Sequence, residues 1–152
     1  MPEPFALGSA TPRHGLPYLH PGQAQKEFFV NEALARLDAL VQATVLDERA
    51  EPPVNPQPGD AYLVASGAAG EWLGEDESIA VFQATHWLFQ PPVAGASVRM
   101  LDTGQSWIYA GGWTTAVEPA APTGGSTIDS EARAAIAGLI SALRHSGVFA
   151  LE

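Results

Sequence analysis

Four histidines, His14, His20, His86 and His145, are the first candidates for metal or acid–base chemistry. None stands at ligand spacing. The sequence holds no H-E-x-x-H and no His-x-His or His-x-Asp couple on a predicted strand, so they read as surface or half-buried side chains. Cys is absent, which removes a thiolate metal site, a disulfide framework and a cysteine nucleophile. Acyl transfer would be advertised by a G-x-S-x-G turn. None occurs: Gly95-Ala96-Ser97 opens a predicted strand, and Gly104-Gln105-Ser106 reads as a hairpin turn. Glu71, Glu75, Asp76 and Glu77 form the densest carboxylate cluster, but the D-x-D-x-D-G spacing of a calcium loop is missing, and acids adjacent in sequence point apart into solvent. A glycan-cleaving pair would have to come from Asp60, Glu71, Glu75 and Asp102. No catalytic residue, metal ligand or cofactor is assigned. Trp72, Trp87, Trp107 and Trp113 are many for 152 residues and have two readings, core or interface packing and a platform for stacking sugar rings. Gly111-Gly112-Trp113 is not a phosphate loop, because Thr-Thr-Ala-Val follows it rather than a helix with a Lys.

The charge balance narrows the partners. Seventeen Asp and Glu against seven Lys and Arg give a net charge of −10, and residues 43–117 alone carry −7, with two basic residues against nine acidic. Duplex binding needs clustered cations that release counterions, so nucleic acid is not an expected partner. A neutral glycan or a protein surface fits better. No apolar run approaches the roughly 20 residues of a membrane span, and the start MPEPFALGSATPRHG lacks the features of a signal peptide. The expectation is a chain made in the cytoplasm, without membrane insertion.

The elements that must position these side chains follow in order. Residues 1–22 hold five Pro and three Gly and are predicted to form an extended arm, with Leu16-Pro17-Tyr18-Leu19 lying on the body or on a partner. Gln23 to about Gln42 is predicted to be a helix. Val30, Ala33, Leu34, Leu37, Leu40 and Val41 fall within about 120° of one another on it, as a core-facing stripe would. Phe28 projects to the side of Ala35 and Ala39, which predicts a second packed face. Glu32 and Arg36 stand as an i, i+4 pair. From Thr44 to Val117 short runs rich in β-branched and aromatic residues, among them 62–64, 79–82, 87–89, 98–101 and 107–109, predict five or six antiparallel strands. Residues 118–126 read as a flexible linker. A last helix over 127–147 is opened by Thr127 or Asp129 and followed by a short tail, 148–152. Its apolar positions are Ile128, Ala132, Ile136, Leu139, Ile140 and Leu143. With Ile136 and Leu143 at a and Ala132 and Leu139 at d they make barely two heptads, a pattern that leans toward two strands. The helix must pack on its own domain or on the same helix of another copy. The expected fold class is α+β, an N-terminal arm and helix on a small antiparallel sheet or barrel (body 23–117), then the linker and the amphipathic helix.

The run LPYLHPGQAQKEFFVNEALARLDALVQATV (16–45), with PPVNPQPGDAYLV (52–64) and the Trp-rich segment through 111–113, resembles an uncharacterised phage-associated domain family. That family occurs in prophages and gene-transfer-agent particles, often at the front of tail-fibre-like proteins. The resemblance covers roughly residues 12–117, and the runs at 21–26, 31–34 and 37–40 stand at the family's spacing. Phe28-Phe29 replace more polar residues. The family has no assigned catalytic residues, so the resemblance implies a structural or attachment role. Its expected partners are phage-like tail or baseplate proteins and further copies of the chain, as trimers, within a virion-like particle. On this reading residues 1–117 attach to the particle, with Leu16, Tyr18, Leu19 and Phe28 as docking residues, and 127–146 associate copies. The rival reading is a carbohydrate-binding module that meets a cell-surface glycan through exposed Trp.

Overall fold

The computed structural model describes residues 9–20, 22, 26–83, 85–125 and 129–151. The fold class is α+β, with two helices and two small sheets, neither closed into a barrel. The chain forms two compact units, Met1–Val93 and Ala94–Glu152, so the strands of the predicted body are shared between them.

The described part of the predicted arm does not run extended. Residues 9–18 fold back on themselves, with Thr11 N–H donating to Leu16 O at 2.9 Å and Tyr18 N–H to Ser9 O at 3.0 Å. Gly15 takes φ +65° at the bend, a conformation open to glycine at little cost. Helix α1 (Lys26–Leu40) follows. The predicted Gln23 to Gln25 lie outside the described residues. Its buried residues are Asn31, Ala35, Asp38 and Ala39, the small and polar face. This corrects the expectation from periodicity: Val30, Leu37, Leu40 and Val41 stand exposed, and Phe28 packs no second face, being exposed as well.

A buried carboxylate explains the inversion. Asp38 is 0 % exposed, and a buried acid must be met by donors. The arm supplies them. Thr11 Oγ1–H donates to Oδ1 at 2.7 Å, His14 N–H to Oδ1 at 2.8 Å and Arg13 N–H to Oδ2 at 3.0 Å. Arg13 then caps the end of α1, which has no basic residue in its last turn, by donating to Ala39 O at 3.0 Å and to the Thr44 hydroxyl. Burial lowers the Arg13 pKa from its ordinary value against the opposing pull of Asp38. Earlier on the same face Asn31 clamps the arm, accepting from Leu19 N–H at 2.8 Å and donating to Leu19 O at 3.0 Å.

After β1 (Thr44–Val45) comes a four-stranded sheet in the order β2 (Glu48–Arg49), β3 (Ala61–Val64), β4 (Ile79–Phe82), β5 (Trp87–Gln90). It is mixed rather than wholly antiparallel, because β2 runs parallel to β3 with Glu48 opposite Leu63. β3 is buried along its whole length. Tyr62 and Val64 pack with Ala68, Trp72 and Ala80, sealed by Leu46, Trp87 and Phe89. The second unit has the antiparallel meander β6 (Ser97–Met100), β7 (Ser106–Tyr109), β8 (Trp113–Thr114), followed by α2 (Ser130–His145). The C-terminal segment packs within its own unit. Phe149 is buried, Leu151 N–H donates to Thr103 O at 2.8 Å and Ser106 N–H to Gly147 O at 2.7 Å.

Two predictions follow from the arm. Asp38→Asn places two amide hydrogens against donors, and the expected loss is about 2–4 kcal/mol of unfolding free energy in a urea titration. Tyr18 is buried with its hydroxyl unpartnered, and burial first, then Asp38, raises its pKa above the ordinary 10. The neutral phenol is thus the folded form, and the stability it contributes is complete below pH 10 and lost as pH rises through the raised value. Tyr18→Phe should leave stability at neutral pH within about 1 kcal/mol and move the alkaline unfolding midpoint upward, read by circular dichroism.

Candidate assembly interface

The side chains that could do chemistry are scattered over local structural tasks. Asp60 Oδ2 accepts from Gln57 N–H at 2.8 Å and Asp102 Oδ1 from Thr103 N–H at 2.6 Å, each within its own turn, while Asp76 Oδ1 accepts from Ala68 N–H, eight residues earlier, at 2.9 Å. Glu71 is exposed on a short 3-10 turn. Among the described residues no group of three or more His, Asp or Glu could hold a metal ion. His14 meets Val41 O at 3.0 Å, and His145 meets Ser141 O one helical turn back at 2.7 Å. No described helix is long and apolar enough to cross a membrane.

The tryptophans divide between the units. Trp72 is 0 % exposed, edge-on to Trp87 at 5.0 Å and 5.9 Å from Tyr62, which removes it from any sugar platform. Trp87 is half-buried and also touches Phe82 at 5.1 Å. Arg49 lies 4.6 Å above the Tyr62 ring, and burial chiefly, then Asp60, raises the pKa of that phenol. In the second unit Trp107 is half-buried with its indole N–H enclosed, and Trp113 packs edge-on to Tyr109 at 5.4 Å.

What the molecule exposes instead is helix surface. In α2, Asp129 is the N-cap, accepting from Ala132 N–H at 2.9 Å, while Ile128 and Thr127 lie outside the described residues. Val148 N–H to Leu143 O and Gly147 N–H to Arg144 O, both 2.9 Å, close the C-terminus around Gly147 at φ +78°, the αL position a helix end requires. None of the helix's residues is buried. The segment predicted as a flexible linker is tied along one flank. Arg144 grips Glu118 through two bonds of 2.7 Å, and Arg133 donates to Pro122 O at 3.0 Å and to Gly124 O. Linker and helix enclose a shallow groove of about 290 Å³ over Ile136, Ala137 and Ile140. Ala132, Ile136, Leu139 and Leu143 remain uncovered beside it, with Leu139 64 % exposed.

The model of a family described as a protein of unknown function, DUF2793, matches residues 30–114, more than half of the chain. The chain belongs to this family. No curated protein matches it. The DUF2793 match takes in most of α1 and every strand, and leaves α2 outside. Of the four expected docking residues in this DUF2793 chain, Tyr18 is packed inside its own unit, Leu16 is half-buried, and Leu19 and Phe28 are open. The outward face of α1 was missed as a surface because its apolar period looks like a core stripe. The signal that could have found it is Asn31, Ala35, Asp38 and Ala39 on the opposite side.

The Glu118–Arg144 pair is only about a quarter to a third exposed, so its loss should be felt locally. Glu118→Gln is expected to cost no more than about 1 kcal/mol of global stability but to speed proteolytic cleavage within residues 119–125 several-fold, read by mass spectrometry.

Proposed function

We propose that the chain is a non-enzymatic structural and attachment component of a phage tail or gene-transfer-agent-like particle, related to tail fibres. On this reading it is made in the cytoplasm and joins tail or baseplate proteins as a homo-oligomer, a trimer as in fibres of this kind. The observation that carries it is the uncovered Ala132, Ile136, Leu139 and Leu143 stripe on a helix already braced by its own linker, a surface ready to meet the same surface of another copy. The non-enzymatic part rests on Asp60, Asp76 and Asp102, whose carboxylates each accept from a backbone N–H nearby in the chain. The DUF2793 family is described only as of unknown function, so this reading stands on the chain's own residues. The particle itself comes from the sequence resemblance.

A second reading is carbohydrate binding. The half-exposed Tyr109–Trp113 pair favours it, since aromatic pairs at a sheet surface stack on sugar rings.

Immunogold electron microscopy of induced phage-like particles is expected to label the tail end, and particles that assemble fully without the chain would remove the structural reading. Saturable quenching of Trp fluorescence by a surface polysaccharide, lost in Trp113→Ala, would select the second reading.

A further inference from the structure

The turn between β6 and β7 holds two segments of the second unit that stand far apart in the chain. Gln105 lies in this turn, 9 % exposed, and its Nε2 donates to Ala116 O at 3.1 Å and to Val148 O at 3.3 Å. One carbonyl stands just before the linker, the other just after Gly147, where α2 closes. A primary amide carries two N–H hydrogens, so the buried nitrogen is fully satisfied only while both segments are in place. The amide is itself mounted on the hairpin, since Met100 N–H donates to Gln105 O at 2.8 Å. Its neighbour Ser106 grips the same two segments, its N–H donating to Gly147 O at 2.7 Å and its carbonyl accepting from Thr115 Oγ1–H at 3.3 Å. Helix α2 buries none of its own residues. Arg144 ties it to Glu118, and Arg133 ties it to the carbonyls of Pro122 and Gly124. Linker and helix are thus bonded to each other along their length, while Gln105 ties both of them to the hairpin.

We propose that Gln105 is a staple: its two hydrogens hold the start of the linker and the end of α2 to the β6–β7 hairpin and to each other, and the excursion between Ala116 and Val148 opens and closes as one body. The residue type fits the task. A carboxylate offers acceptors only, and an apolar side chain would leave both carbonyls without this donor. The staple stands on the bonds of the second unit alone. Its use rests on the assembly reading above, in which a fixed root presents the Ala132, Ile136, Leu139 and Leu143 stripe in one direction.

The test uses the full chain and two variants of nearly equal side-chain length. Gln105→Met removes both donors, and Gln105→Glu keeps the shape but sets a charged acceptor against two carbonyls. Hydrogen exchange of the Ser106, Val148 and Leu151 amides reads the helix end, and proteolytic cleavage within residues 119–125 reads the linker end. Both rates are expected to rise together, about tenfold in Gln105→Met and further in Gln105→Glu, while exchange of Leu63 and Val64 in the first unit stays as in the native chain. In the native chain, where no substitution disturbs folding, exchange of Val148 and Leu151 and cleavage of 119–125 should follow one urea dependence. Loosening of one end without the other, native rates in Gln105→Glu, or separate urea dependences in the native chain would each overturn the staple. Light scattering keeps the two claims apart. A monomeric native chain with coupled opening removes the assembly reading and leaves the staple, whereas an assembled chain with uncoupled ends removes the staple and leaves the reading.

Discussion

The buried carboxylate of Asp38 is the constraint on which the first unit depends. An acid with no solvent access must have its oxygens met, and here the donors come from a hydroxyl and two backbone amides of a segment 24 to 27 residues earlier. The arm is thereby fixed by polar geometry rather than by apolar burial, with Asn31 as its second clamp and Arg13 as its return contact onto the helix end. A face built of Asn31, Ala35, Asp38 and Ala39 can lie close to backbone because its side chains are small or hydrogen-bonded. Once that face points inward, 3.6-residue geometry leaves Val30, Ala33, Leu37 and Leu40 nowhere to go but outward.

Much of the fold was legible from local rules. The Asp129 cap, the stop at Gly147, the Glu32–Arg36 pair and the strands at 61–64, 79–82 and 106–109 follow from capping, φ and periodicity, which act within a few residues. What was not legible depends on partners far apart in the chain. Composition marked 118–126 as flexible, yet Glu118 finds Arg144 and Arg133 finds the backbone at Pro122. Pro content marked the arm as extended, yet Thr11, Gly15 and Leu16 fold it back. Strand β2, two residues long and parallel to β3, has no periodic signal of its own. The orientation of α1 was misread for a deeper reason. Periodicity identifies the face that is to be kept dry and says nothing about whether its own domain or another molecule keeps it so.

The same logic separates the candidate site from chemistry. Carboxylates that close turns, histidines that meet backbone carbonyls and a Trp72 enclosed by Tyr62 and Trp87 each serve the structure of the unit they belong to. The remaining resource is surface: an uncharged helical stripe in each unit, one inside the DUF2793 match and one beyond it.

The central claim is that α1 turns its apolar face outward and buries the face of Asn31, Ala35, Asp38 and Ala39 against the arm. Hydroxyl-radical footprinting of the native chain at low protein concentration, read residue by residue, tests it most directly. The account predicts that Phe29 and Leu37 react strongly while Tyr18, buried in the arm, is protected. Protection of Phe29 and Leu37 to the level of Tyr18 would contradict it.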